Sequence, residues 1–136
     1  MDLATSMAVA ASGMRAQTDR MRVITENIAN ANSTATTPGG EPYRRKIATM
    51  QSEFDRQVGA TMVEPGQPVA DESDFRKQYD PGNPMADKSG FVLQPNVNPL
   101  VEIMDMREAQ RSYEADLTVM ESSKAMLSRT IDLLKK

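Results

Sequence analysis

Apolar residues recur alternately three and four positions apart at both ends of this chain, and that spacing constrains the fold more than any other feature. At the N-terminal end, Leu3, Met7, Ala10, Met14, Gln17, Met21, Ile24 and Ile28 keep it through four repeats, with Gln17 the one polar member. At the C-terminal end, Ile103, Met106, Gln110, Tyr113, Leu117, Met120, Lys124, Leu127, Ile131 and Leu134 do the same. A seven-residue repeat of this kind lines one side of an α-helix with a continuous stripe, the seam of a coiled coil.

The ends of both helices are marked in the sequence. Asp2 is placed to cap the first, where its carboxylate also faces the positive end of the helix dipole. That helix is expected to stop at Asn30-Ala31-Asn32-Ser33, ahead of Pro38-Gly39-Gly40. Asn98 followed by Pro99 predicts the start of the second, with Asn as cap and Pro at the first helical position. The helices are expected to run about 27 and about 37 residues, roughly 40 and 55 Å at 1.5 Å per residue. Lengths of that order exceed what a small globule requires.

Between the helices the grammar changes. All eight prolines except Pro99 fall in residues 31–97. Tyr43 to Met50 is expected to form a strand, and Phe91-Val92-Leu93 a second short one. Ser52 to Val63 fits either strand or helix. Asp71 to Pro84 is expected to be exposed loop, ending in Asp80-Pro81-Gly82-Asn83-Pro84. The predicted fold is therefore mainly α. Residues 1–30 and 98–136 form two long helices paired as an antiparallel coiled coil, and residues 31–97 a projecting middle segment with short strands and loops.

Composition bears on how such a chain buries its apolar surface. Hydrophobic residues make up 39 %, but aromatics only 4 %, with no Trp, three Phe and three Tyr. Large rings supply much of the buried area in small cores, so this chain has little from which to build one. Eleven Met residues offer flexible packing at irregular surfaces, including surfaces that meet partners. The chain is expected to complete its burial against neighbours.

Several function classes are excluded or disfavoured. A formal charge of −3 argues against nucleic-acid binding, which needs a concentrated basic surface. The one compact basic run, Arg44-Arg45-Lys46, reads as a solvated strand or loop edge. No His and no Cys occur, so histidine triads, thiolate sites and disulfides are impossible. No Gly-rich phosphate loop is present. Asp71, Glu72 and Asp74 lack the ligand spacing of a calcium loop and read as solvated. Glu102, Asp105 and Glu108 have a sufficient reason in the dipole at the start of the second helix. No catalytic, cofactor or metal site is predicted. No apolar run approaches the roughly 20 residues that span a bilayer. Met7 to Ala11 could imitate a signal peptide, but Asp2 replaces the basic flank and the pattern continues into the helix.

Two end motifs then become recognisable. Ala11-Ser12-Gly13-Met14-Arg15-Ala16, followed by Asn27-Ile28-Ala29-Asn30-Ala31-Asn32, resembles the N-terminal signature of the flagellar rod and hook protein family. Arg111-Ser112-Tyr113-Glu114-Ala115 is similar to the family's distal helix motif. Tyr79-Asp80-Pro81-Gly82-Asn83-Pro84, Gly90-Phe91-Val92 and Pro95-Asn96-Val97-Asn98 look like proximal-rod members in particular. Asp116 departs from the family's more usual Asn, and Ser33 to Pro42 is a longer polar insert than hook-type members carry.

The resemblance implies a structural subunit whose terminal helices pack into a tubular rod and transmit motor torque. It implies export through the flagellar type III channel without a cleaved signal peptide, and residence in the periplasmic rod of the basal body. Expected partners are copies of the chain, other rod proteins and basal-body ring or adaptor proteins, with no nucleic acid and no direct membrane insertion. Two other readings share the helices. Another axial subunit or rod-to-ring adaptor would differ in the middle segment, and a soluble coiled-coil adaptor would be complete in solution.

Overall fold

The computed structural model describes residues 2–136. Its elements, in chain order, are α1 (Leu3–Ala29), β1 (Lys46–Ile47), β2 (Met50–Asp55), β3 (Ala60–Pro65), β4 (Val69–Ala70), β5 (Arg76–Tyr79), β6 (Phe91–Gln94) and α2 (Pro99–Leu134). The 27 residues of α1 and 36 of α2 form the two long helices that the end patterns predict, with a small β-containing middle. Both expected caps form. The Thr5 amide donates to Asp2 Oδ1 at 2.7 Å, and the Leu100 amide to Asn98 Oδ1 at 3.1 Å. Each supplies an acceptor to an N–H that the helix cannot satisfy internally.

The six strands make three antiparallel two-stranded sheets: β1 with β4, β2 with β3, and β5 with β6. The segment that fits either state, Ser52 to Val63, is a hairpin, registered from Met50 opposite Pro65 to Asp55 opposite Ala60. Asp55 Oδ1 accepts the Gln57 and Val58 amides, and Gly59 takes φ 72° to complete the turn. That conformation is cheap only for Gly.

Two expectations for the middle segment need correction. Tyr43 to Met50 is not one strand. Only Lys46–Ile47 pairs as β1, and Met50 opens β2. The amides of Arg45 and Lys46 are taken by side chains, Asn96 Oδ1 at 2.7 Å and Asn27 Oδ1 at 3.0 Å, which ends the ladder. The expected loop from Asp71 to Pro84 contains β5, paired with β6 from Arg76 opposite Gln94 to Tyr79 opposite Phe91. All four β5 residues are exposed, so no alternation of polarity marked the strand. Tyr79 and Phe91 meet edge to face at 5.3 Å, a favoured aromatic geometry.

The chain divides into two compact units, each drawing on both helices. The first takes α1 up to Met21, Thr49–Gln67 and Arg107–Lys136. In it, Gly13 of α1 faces Asp116 of α2, and Arg20 bridges Glu108 at 3.5 Å. The Val63 amide of β3 donates to Ser12 Oγ at 3.2 Å, holding the hairpin to α1. Ser12, Ala16, Ala109 and Ser123 are buried here, all small side chains that permit close approach.

The second unit takes Arg22–Ala48 and Pro68–Met106. Its buried residues include Val23, Ile24, Asn27, Ala31, Val92, Pro95, Val97 and Glu102. The Asp80–Gly90 turn closes β5 onto β6, with the Asp80 amide donating to Gly90 O at 2.9 Å. Gly90 has φ 84°, and a Cβ there would lie 2.9 Å from Tyr79 Cε2. Both the backbone and the ring exclude a side chain. Gly90→Ala is expected to destabilise by about 1–3 kcal/mol, the range for a residue held in a disfavoured backbone region. A thermal melt followed by circular dichroism reads this, and an unchanged midpoint contradicts it.

Candidate assembly interface

A connected polar cluster lies in the second unit, around the first turns of α2. Glu102 has no exposed surface, yet it is a carboxylate. Two donors compensate it. Arg45 Nε bonds Glu102 Oε1, and Asn27 Nδ2 reaches Glu102 Oε2 at 3.3 Å. Arg45 also meets Asp71 at 3.2 Å and Asp105 at 3.5 Å. A buried charge is tolerated only when paired and hydrogen-bonded, and this one is both.

Asn27 and Asn96 complete the cluster by satisfying backbone where the chain is irregular. Asn27 Nδ2 donates to Lys46 O at 2.8 Å, while its Oδ1 accepts the Tyr43 hydroxyl at 2.7 Å and the Lys46 amide at 3.0 Å. Asn96 Nδ2 donates to Asp71 O at 3.0 Å and to Ser73 Oγ at 3.0 Å. The two amides thus tie α1, the β1 region, the Asp71 turn and the approach to α2 together. Only a side chain carrying both donor and acceptor can do this.

The ionisations follow from these contacts. Burial opposes the Arg45 charge, but the hydrogen bond and charge of Glu102, then Asp71, hold its titration above the ordinary value. The Tyr43 hydroxyl is pushed up to about 12, first by burial and then by the charges of Glu26 and Glu102. Asp71 is held below the usual carboxylate range by the Ser73 amide and hydroxyl, and then by Arg45.

This cluster corrects three sequence expectations. Arg44-Arg45-Lys46 is not a solvated edge: Arg44 stacks over Phe75 at 4.2 Å, Arg45 holds Glu102, and Lys46 pairs with Glu26 at 2.6 Å. Asp71 is an ion-pair partner and turn cap, not a free loop acid. Glu102 serves more than the helix dipole. Arg45 and Glu102 stand 57 positions apart, and no local pattern connects residues at that separation.

The seam residues divide by environment. Ala10 and Ile24 are buried; Leu3, Met7, Met14, Met21 and Ile28 of α1 and Met106, Tyr113, Leu117 and Met120 of α2 are partly buried. Ile103, Leu127, Ile131 and Leu134 are exposed, Leu134 at 82 %. On α2 the residues that bury fully are Glu102, Ala109 and Ser123, at a seven-residue spacing that also includes partly buried Asp116. Each precedes an expected seam position by one residue. Burial raises the Asp116 titration above the ordinary value.

Comparison with known proteins fits this architecture. Residues 7–35 match the family described as "Flagella basal body rod protein", and residues 88–133 that described as "Flagellar basal body rod FlgEFG protein C-terminal". The chain is 49 % identical to the flagellar basal-body rod protein FlgC of Agrobacterium fabrum over 98 % of its own length and 96 % of the relative's. The chain belongs to the FlgC family of flagellar basal-body rod proteins. It is also 38 % identical to FlgC of Bacillus subtilis, covering 96 % of this chain and 97 % of that one. With FlgC of Salmonella typhimurium the identity is 34 % over 92 % of each. As a FlgC-family member it is a structural subunit of the flagellar basal-body rod.

The structure places the residues on which the resemblance rested. Ser12 Oγ donates to Val9 O at 2.7 Å and accepts from β3, so a small hydroxyl is needed there. A Cβ at Gly13 would collide with the Asp116 carboxylate. Asn27 and Asn96 are the two hubs, Asn98 is the α2 cap, and Pro95 and Val97 are buried beside them. Asn30 Nδ2 bonds Glu26 O at 2.9 Å at the end of α1, beside exposed Ala29 and Asn32. Tyr79, Asp80 and Pro81 form the exposed end of β5 and its turn. Ser112 is partly buried on α2, where Arg111, Glu114 and Ala115 are exposed. Among the described residues, no group of acidic side chains could hold a metal ion, and no helix is long and apolar enough to cross a membrane.

Two predictions follow from the electrostatics. Arg45→Met leaves the Glu102 carboxylate buried with one weak donor, and should cost about 3–5 kcal/mol in urea unfolding. Adding Glu102→Leu should recover part of that loss; an additive double variant would show that the pair is uncoupled. Asp116 titrates above its ordinary value of 3.8 when folded, so the stability linked to its protonated form is lost as pH rises through that folded value. Asp116→Asn should therefore raise the melting temperature at neutral pH, and the gain should vanish in acid below the unfolded value. Equal melting at both pH values refutes the linkage.

Proposed function

We propose that the chain builds the proximal part of the rod by packing its terminal helices, paired as an antiparallel coiled coil, into the wall of a tube that transmits motor torque. The observation that carries this is the apolar surface left open on α2. Leu100, Val101, Ile103, Met104, Val119, Met126, Leu127, Ile131, Leu133 and Leu134 are all exposed in the single chain. Exposed apolar residues in that number on one helix, grouped at 100–104 and 119–134, are the mark of an interaction surface. The pairing itself is supported in the first unit. Partners of rising number on α1, Gly13 and Arg20, meet partners of falling number on α2, Asp116 and Glu108.

The partners are copies of the chain, other rod proteins, and basal-body ring or adaptor proteins where the rod begins. The subunit works in the periplasmic rod and leaves the cytoplasm through the flagellar type III channel without cleavage. Its task is stiffness and defined contact, with no catalytic turnover. Residues 1–30 and 98–136 form the helical body, and residues 31–97 the part projecting from it. A self-sufficient soluble adaptor fits less well, because it would have to leave these apolar residues of α2 in water.

Aspartate at a packed seam position places an unpaired charge in an apolar contact. Met14→Asp or Leu127→Asp is expected to abolish rod formation, read as loss of the protein from isolated basal bodies and loss of swimming. Normal rods from Leu127→Asp would show that the exposed apolar residues around Leu127 are not an assembly surface.

A further inference from the structure

The helix contact of the first unit carries polar groups that the fold leaves unsatisfied. Gly13 of α1 lies against Asp116 of α2, and Arg20 of α1 bridges Glu108 of α2 at 3.5 Å. Gln17 stands four residues after Gly13 and three before Arg20, so the helical period puts all three on the side of α1 that meets α2. Its Oε1 is buried without a hydrogen-bond partner, the one such side-chain atom among the described residues. At the same contact the partly buried Asp116 carboxylate makes neither an ion pair nor a hydrogen bond among the described residues, and burial raises its titration.

Both groups lose water here and gain nothing polar in return. A buried acceptor without a partner costs its full desolvation, which a hydrogen bond would otherwise offset. Apolar burial compensates little, because the helix side chains buried in this unit include Ser12, Ala16, Ala109 and Ser123, all small. The Arg20–Glu108 pair adds little, since Glu108 is 67 % exposed. The second unit is built the other way. Its helices are joined through Asn27 and Glu102, and the buried Glu102 has both Asn27 and Arg45 as donors. Val23, Ile24, Val92 and Val97 add buried apolar surface.

We propose that the α1–α2 contact of the first unit is a gate in the free chain: it opens locally, returning Gln17 and Asp116 to water, while the contacts of the second unit stay closed. Proteins open first where few apolar contacts hold them. Here the opening is favoured by hydration of two polar groups and opposed by little apolar area. It is a property of the single chain and stands apart from the rod reading. For a subunit that must fit against neighbours, it leaves one helix contact adjustable while the Glu102 cluster stays fixed.

Amide hydrogen exchange of the purified full-length chain, followed residue by residue by NMR, tests the gate. In the unsubstituted chain, residues 8–21 of α1 and 107–123 of α2 should exchange faster than residues 23–27 and 103–106. Gln17→Met removes the unsatisfied amide at similar size. It should slow exchange at 8–21 and 107–123 by about tenfold, the factor that one such group is worth, with 23–27 and 103–106 unchanged. Asp116→Asn at neutral pH should act in the same direction and serves if Gln17→Met does not fold. Gln17→Glu, which buries a charge at this point, should speed exchange in the first unit alone. Equal exchange in both units of the unsubstituted chain overturns the gate, because the helices then open only with the whole fold. So does a Gln17→Met effect that is absent or spread evenly over both units.

Discussion

A carboxylate without solvent, Glu102 at the first turns of α2, sets the terms for the structure around it. Removing a charge from water carries a desolvation penalty of several kcal/mol, recovered only through close opposite charge and full hydrogen bonding. Arg45 must therefore come from the middle segment, and Asn27 from α1, to the same point. Arg45 is itself held by Asp71, and its backbone by Asn96. The consequence is specificity of arrangement. A chain with few rings and three separate two-stranded sheets has no continuous β core to position its segments. Directional bonds among five or six polar side chains do so instead.

Along the helices a different constraint operates. In the first unit Gly13 of α1 lies against Asp116 of α2, and the helix residues most buried there include the small side chains Ser12 and Ala16 on α1 and Ala109 and Ser123 on α2. Small residues allow two helices to approach closely but bury little apolar area, at roughly 25 cal/mol per Å². Many larger apolar residues of α2, among them Val119, Met126, Leu127, Ile131, Leu133 and Leu134, remain exposed, while Tyr113, Leu117 and Met120 are partly buried. This division suits a subunit of the flagellar rod. On the proposed reading, the apolar area left exposed on α2 is the area that neighbours in the rod would cover.

Much of this was legible beforehand, for physical reasons that can be named. Helices of this length show in sequence because their periodicity repeats many times and their caps are local. Asp2 and Asn98 each act on an amide two or three residues away. Strand Phe91–Gln94 was readable from its apolar run, whereas its partner Arg76–Tyr79 was not, since four exposed polar or amphipathic residues carry no alternation. The hub role of Asn27 lay hidden within a recognised motif, because an asparagine near a helix end looks the same whether it stops the helix or reaches across to another segment. The Arg45–Glu102 pair was misread from both sides, each residue having an adequate local explanation that its true partner superseded.

The sequence by itself determined the two long helices, their boundaries, the shortage of core-building rings and the family to which the chain belongs. All of these depend on composition or on interactions within about one helical turn. Tertiary structure alone decided which side of each helix is buried. The apolar heptad at Ile103, Met106, Gln110 and beyond marks where α2 is most hydrophobic, but full burial falls one residue earlier, at Glu102, Ala109 and Ser123. Periodicity reports that a helix has a preferred face for some partner. Whether that partner is its own chain or a neighbour depends on fit, and fit is settled by side chains that are distant in sequence and adjacent only once the chain has folded.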